Sequence, residues 1–160
     1  MRFMRDLMLI IHDVRSVHNV GSLFRTADGA GVSKIYVTGY TPAPIDRFGR
    51  KVKAFSKVSL GAEETVAWER REIGELLASL KKSKVCIVAL EQHPGAQPLK
   101  GALPPGDIAL MVGNEVKGIP TELLKEANII MEIPMYGKKE SLNVSVAAGI
   151  ALYALQNSKS

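Results

Sequence analysis

The chain has 160 residues, 46% hydrophobic and 23% charged, which is the balance of one globular domain too short to divide into two. Lys and Arg number 21 against 16 Asp and Glu, and the resulting formal charge of +5 attracts polyanions without specifying a fold. The N-terminal apolar run, Leu7 to Ile11, is shorter than a signal-peptide core, and the longest run, Val146 to Leu155, falls well short of a membrane span. The lone Cys86 excludes an intramolecular disulfide, so a cytoplasmic, reducing setting is expected.

In chain order, residues 8–12 form the first short apolar run without polar alternation, the pattern of a strand covered on both faces. A helix is predicted over residues 20–30, with Asn19 placed to cap its start and Gly31 to end it in a left-handed turn. Val20, Leu23, Phe24 and Ala27 make one apolar stripe at helical spacing, while Gly21 and Arg25 share the other side. Glycine inside a helix costs about 1 kcal/mol relative to alanine, so Gly21 reads either as tolerated or as retained for close approach of a ligand. Further strands are predicted at 34–38, 85–90, 108–112 and 129–133, and further helices at 73–82, 120–127 and 142–156. This alternation predicts a single three-layer α/β domain over residues 1–160, built on a parallel sheet and without internal repeat or linker. Cys86 lies inside an apolar run and reads as a small buried hydrophobe. From Val144 to Leu155 only Ser145, Gly149 and the Tyr153 hydroxyl interrupt an apolar surface that goes all the way round. The last helix is therefore expected to be buried on every side, in part against another subunit.

Several cofactor signatures are missing. No strand is followed by a G-x-G-x-x-G turn, and the nearest match, Gly29-Ala30-Gly31, ends a helix, which weighs against NAD enzymes and Rossmann-type methyltransferases. Gly113 and Gly118 have the glycine spacing of a P-loop, but Ile119-Pro120 stands where Lys-Ser/Thr must grip phosphate and magnesium. His12, His18 and His93 lack metal-ligand spacing and cysteine partners, so no metal is expected. They read as packing or hydrogen-bonding locally, although His12 and His18 flank the first strand-to-helix loop, where either could touch a substrate.

Three segments carry a family pattern in order. The first is Asn19-Val20-Gly21-Ser22-Leu23-Phe24-Arg25-Thr26-Ala27, the second Leu110-Met111-Val112-Gly113-Asn114-Glu115-Val116-Lys117-Gly118-Ile119. The third is Ile133-Pro134-Met135, a short loop, and then Ser141-Leu142-Asn143-Val144-Ser145-Val146-Ala147-Ala148. Together they resemble the SpoU/TrmH family of RNA methyltransferases in the SPOUT superfamily. The stretch Ser59-Leu60-Gly61-Ala62-Glu63 with Trp68-Glu69 extends the resemblance over essentially the whole chain.

The resemblance implies transfer of a methyl group from S-adenosylmethionine to a ribose 2′-hydroxyl of tRNA or rRNA, without a metal. It implies a parallel sheet whose C-terminal part, from about residue 108 into the last helix, threads a loop as a deep trefoil knot, an exception to ordinary topology. It also implies a homodimer with the last helix in the interface, and a catalytic domain alone, without the N-terminal RNA-binding domain of many members. The position matching Arg25 is the one implicated in activating the hydroxyl. A guanidinium stays protonated, so charge stabilisation with a grip on a neighbouring phosphate suits Arg25 better than the role of a base.

Asn19, Ser141 and Asn143 match the remaining polar site residues, and taken singly each also reads as a helix cap. Glu115 is expected to brace its loop through hydrogen bonds. Leu90, Gly113, Ile133 and Leu142 match the knot-loop positions that hold the adenosine, with Asn114, Glu115, Met135, Ser141 and Asn143 beside them. Core packing is the alternative for the apolar ones. Between Asp46 and Leu60 stand Arg47, Arg50, Lys51, Lys53 and Lys57, with Phe48 and Phe55 interleaved, a mixture suited to phosphate contact and base stacking. Arg15 and Lys117 could extend that RNA surface; without an adjoining site the stretch reads as a solvated loop. A noncatalytic RNA-binding knotted dimer and a base-nitrogen methyltransferase stay open as alternatives.

Overall fold

The computed structural model describes residues 5–100 and 103–158, so the ends of the expected 1–160 domain lie outside the described residues. Among the described residues seven strands form one sheet: β1 (Leu7–His12), β2 (Lys34–Thr38), β3 (Trp68–Arg70), β4 (Cys86–Leu90), β5 (Gln97–Pro98), β6 (Ile108–Val112) and β7 (Ile129–Glu132). Their order is β3-β2-β1-β6-β4-β7-β5, and every pairing is parallel. Neighbours β1 and β6 are buried along their whole length, which is why their sequences are apolar without alternation.

Successive strand residues feed opposite cores. Leu7, Leu9 and Ile11 join Ile108, Leu110 and Val112 in a core covered by α1 (Val17–Gly29) and α6 (Val144–Asn157). Met8, Ile10, Ala109 and Met111 face the other way, toward α4 (Ile73–Lys82) and α5 (Thr121–Leu124). The sheet thus lies between two helical layers, as the alternation of elements predicts.

Local departures have physical causes. Helix α1 begins three residues earlier than expected because Ser16 caps it: the Ser16 hydroxyl accepts from the Asn19 amide at 3.1 Å. Asn19 therefore lies in the first turn with its side chain free for other bonds. Gly31, at φ +75°, follows the end of the helix in the left-handed region, as its sequence position suggests. Gly21 serves packing, not ligand approach. It is buried against α2 (Lys53–Ser59), and a Cβ there would stand 3.0 Å from the Val58 Cβ and 3.1 Å from the Phe55 carbonyl oxygen. That close approach brings Phe24 edge-on to Phe55, with ring centroids 4.9 Å apart, a contact worth about 0.5–1.5 kcal/mol beyond its buried area.

Helices α2 and α3 (Ala62–Thr65) and strands β3 and β5 are too short to show a clear period, and none is anticipated by the pattern. The expected 120–127 helix keeps only the four residues of α5. Cys86 is half-buried against the core; burial pushes its thiol up, against a weaker opposing pull from Arg5. Helix α6 is capped by Asn143 and buries Ala148, Ala151, Leu152 and Leu155, but Val146, Ile150 and Tyr153 are 52%, 44% and 47% exposed. Within one chain it is covered on one side, not on every side.

Candidate active site

Because all the strands run the same way, the ends of β4, β6 and β7 meet at one edge of the sheet, where open α/β folds commonly bind ligands. The segments following these strands, together with Asn19 and residues 141–147, enclose a cleft of about 430 Å³, within the range of small-molecule sites. Leu90, Val112, Ile133, Leu142, Val144 and Ala147 supply apolar wall. Among the described residues, its charged lining groups are Glu91, Glu115 and Glu132, with no Lys, Arg or His. A cleft of that sign, in a chain of charge +5, suits a neutral or cationic ligand and disfavours phosphate.

One hydrogen-bonded chain ties the three motif segments together. The Glu115 carboxylate accepts from the amides of Arg15 at 2.9 Å and Ser16 at 3.0 Å, and from the Asn19 side chain at 3.4 Å. The Asn19 side-chain oxygen accepts from Asn143 Nδ2 at 3.2 Å. Asn143 Oδ1 in turn accepts from the Ser145 and Val146 amides and so caps α6. For Asn143, cap and cleft residue are one position. Partial burial works against ionisation of Glu115, but its bonds to Arg15, Ser16, its own amide and Asn19 outweigh that and hold its carboxyl below the usual range.

The 113–118 loop is held from several sides. Asn114 Oδ1 accepts from the Val116 and Lys117 amides, while its Nδ2 donates to the Asp13 carbonyl and the Tyr40 hydroxyl, each at 2.9 Å. Glu91 accepts from the Ile119 amide at 2.7 Å. At Gly113 a Cβ would lie 2.8 Å from the Gly118 carbonyl carbon and oxygen, so its missing side chain serves closure of the loop upon itself. A larger residue there would first strike the loop, not a ligand.

The cleft brings together Asn19, Leu90, Gly113, Asn114, Glu115, Ile133, Ser141, Leu142 and Asn143. Met135 is partly buried in the segment after β7 and does not line it. Nor does Arg25. Six residues beyond Asn19, it lies about 9 Å farther along α1 and about 120° round the axis. There it is exposed in a shallow depression with Ser22, Thr26, Gly29, Val58 and Tyr153. Glu91 and Gln92 are lining residues that the sequence reading missed; their only signal was their place just after a buried strand.

His12 bonds Thr38 through Nδ1 at 2.8 Å and is held neutral-leaning by burial, against the nearby charge of Asp13. His18 is exposed, and His93 accepts from the Gly95 amide. Of the basic stretch, Arg47, Arg50, Lys51, Lys53 and Lys57 are exposed, as are Arg15 and Lys117. Arg50 pairs with Asp46 and Lys51 with Glu64. Phe48 is exposed, but Phe55 is fully buried against Phe24 and is unavailable for stacking on a base. No helix among the described residues is long and apolar enough to cross a membrane.

Fold and cleft together define an α/β protein with a cleft outside the carboxyl ends of parallel strands, where such folds commonly bind ligands. Residues 6–153 match the SpoU rRNA Methylase family, and the chain belongs to that family. The 23S rRNA (guanosine-2'-O-)-methyltransferase RlmB of Neisseria meningitidis is 33% identical over 147 residues, which are 91% of this chain and 56% of that protein. The tRNA (guanosine(18)-2'-O)-methyltransferase of Aquifex aeolicus is 31% identical over 97% of this chain and 71% of its own length. An AdoMet-bound rRNA methyltransferase structure from Sinorhizobium meliloti matches with a TM-score of 0.85 at 26% identity, over 96% of this chain and 57% of that one. The chain thus spans a little over half the length of the RlmB relative.

Proposed function

We propose that this chain transfers the methyl group of S-adenosylmethionine to a ribose 2′-hydroxyl of tRNA or rRNA, the class of reaction that the names of its Neisseria and Aquifex relatives give for those proteins. The observation that carries this is the joining of all three motif segments, through Glu115, Asn19 and Asn143, around a partly apolar cleft lined, among the described residues, by carboxylates and no cationic side chain. S-adenosylmethionine, when bound, supplies a methyl group on a positively charged sulfur. Leu90, Ile133 and Leu142 suit its adenine, and Glu91, Glu115 and Glu132 suit its positive charge. Gly113, Asn114, Ser141 and Asn143 complete the holding set. Met135 is left out of it. Glu115 is a positioning residue, since its bonds go to the start of α1. Among the described residues no group of three or more His, Cys, Asp or Glu could hold a metal ion, and the reading invokes none.

Arg25 keeps a catalytic role in this reading only across a homodimer. Support comes from the uncovered apolar side of α6, where Tyr153 shares the depression beside Arg25. Pairing through Val146, Ile150 and Tyr153 would offer Arg25 to the partner's cleft. Its guanidinium would stabilise negative charge developing on the ribose oxygen and hold the adjacent phosphate. A trefoil knot between β6 and α6 belongs to the same proposal; it is supported by the family and by the return of the chain from β7, beyond β4, to α6 packed on α1. The exposed Arg15, Arg47, Lys53, Lys57 and Lys117, together with Arg50 and Lys51, are the proposed RNA surface, and the proposed setting is the cytoplasm.

The test is incubation with methyl-labelled S-adenosylmethionine and total RNA, followed by nucleoside mass spectrometry. A 2′-O-methylnucleoside is expected. A base-methylated product, or none, would overturn the proposal.

A further inference from the structure

We infer that the hairpin at residues 45–51 is a preassembled stacking platform for an unpaired nucleobase, formed by Phe48 with the guanidiniums of Arg47 and Arg50. The inference rests on the RNA-methyltransferase reading and narrows it to a substrate with a loop, bulge or end.

The hairpin is over-braced for a solvated loop. Ile45 and Lys51 form an antiparallel bridge, and the Asp46 amide donates to the Arg50 carbonyl at 2.9 Å. Gly49, at φ +78°, closes the turn and donates to the Asp46 carbonyl at 3.0 Å. Asp46 Oδ1 accepts from the amides of Phe48 at 2.8 Å and Arg50 at 3.0 Å, and its Oδ2 from Arg50 Nε at 3.0 Å. These bonds, the Arg50 amide foremost, hold the Asp46 carboxyl below the usual range, so the brace stays ionised at neutral pH.

At the tip, Phe48 is 66% exposed, whereas Phe55 seven residues later is fully buried. Core packing accounts for Phe55 and not for Phe48. The Arg47 and Arg50 guanidinium carbons lie 4.8 and 5.0 Å from the Phe48 ring centroid, so three planar groups are gathered in one exposed place. Bases stack on aromatic rings and on guanidinium planes alike, and the same two cations can take the flanking phosphates. A loop already fixed in shape loses little freedom on binding. Paired bases hide their faces in the duplex, so only an unpaired nucleotide can use the platform.

Its position fits delivery to the cleft. The hairpin follows β2, whose C-terminal end lies at the same edge of the sheet as the cleft. Tyr40, in the same connection, accepts a hydrogen bond from Asn114 of the cleft loop at 2.9 Å.

The test compares Phe48→Ala and Phe48→Tyr with wild type by fluorescence anisotropy at fixed salt, using a stem–loop RNA oligonucleotide and a blunt RNA duplex of matched length. Wild type should prefer the stem–loop. Phe48→Ala should lose about tenfold or more for the stem–loop, the scale of one base–aromatic stack, and change little for the duplex. Phe48→Tyr should retain the preference, and calorimetry should find S-adenosylmethionine affinity unchanged in both variants. Phe48→Ala binding the stem–loop as wild type does, or weakening both RNAs equally, overturns this inference alone. A wild type that binds neither RNA overturns it together with the reading it rests on.

Discussion

The proposed action of Arg25 across a homodimer can be tested by mixing two variants. Arg25 lies about 9 Å along α1 from the nearest cleft residue on that helix, and on another side of it. Arg25→Ala therefore removes an exposed side chain and should change folding stability by less than about 0.5 kcal/mol. Methyl transfer should fall by about two orders of magnitude or more, the scale of losing one charge-stabilising donor. Ile133→Arg places a cation in the wall of the acidic cleft and should abolish S-adenosylmethionine binding in calorimetry. Neither homodimer then has a working site. When the two variants are unfolded together at equal concentration and refolded, half of the dimers should be mixed. In each mixed dimer, one site combines the intact cleft of the first chain with Arg25 of the second. The refolded mixture should therefore recover about a quarter of wild-type activity in a labelled-methyl filter assay. Recovery no greater than that of either parent would refute action across the interface.

Three further outcomes follow from the geometry. Glu115 is held below its ordinary 4.5, so the stabilisation from its bonds is full above that value and is lost as pH falls through the lower folded value. Glu115→Gln should accordingly be less stable than wild type in urea melts at pH 7, with the gap closing as pH falls below the ordinary 4.5 and through the lower folded value; a gap independent of pH would exclude this coupling. Gly113→Ala places a Cβ 2.8 Å from the Gly118 carbonyl, an overpacking that costs about 1–3 kcal/mol and should lower the melting temperature and weaken S-adenosylmethionine binding. Gly137→Ala, where an added Cβ meets nothing within 4 Å, is the control and should melt like wild type. Ile150→Asp puts a charge on the uncovered side of α6 and should sediment as a monomer of 17.3 kDa with its helix content kept; a dimer would place the interface elsewhere.

Sequence by itself determined the layered α/β architecture, because a strand covered on both faces must be apolar at nearly every position, and β1 and β6 are. It also marked Asn143 as a possible cap and the last helix as apolar nearly all round, of which the fold covers one side. It placed the cap of α1 at Asn19, whereas Ser16 makes it, since both residue types cap helices and only the backbone path decides which oxygen reaches an orphan amide. It could not tell Phe48 from Phe55, which sit in the same basic stretch, until α2 packed on α1 and buried one of them. The meeting of Glu115 with Asn19, 96 residues apart, and of Asn143 with Asn19, 124 apart, depends on β6 lying between β1 and β4 and on α6 returning to α1. That order comes from long-range strand pairing, which leaves no local periodicity in the chain. The same holds for Arg25: its motif places it beside Asn19 in sequence, but the rotation of one helix turns the two toward different surroundings, and only the tertiary structure shows the separation.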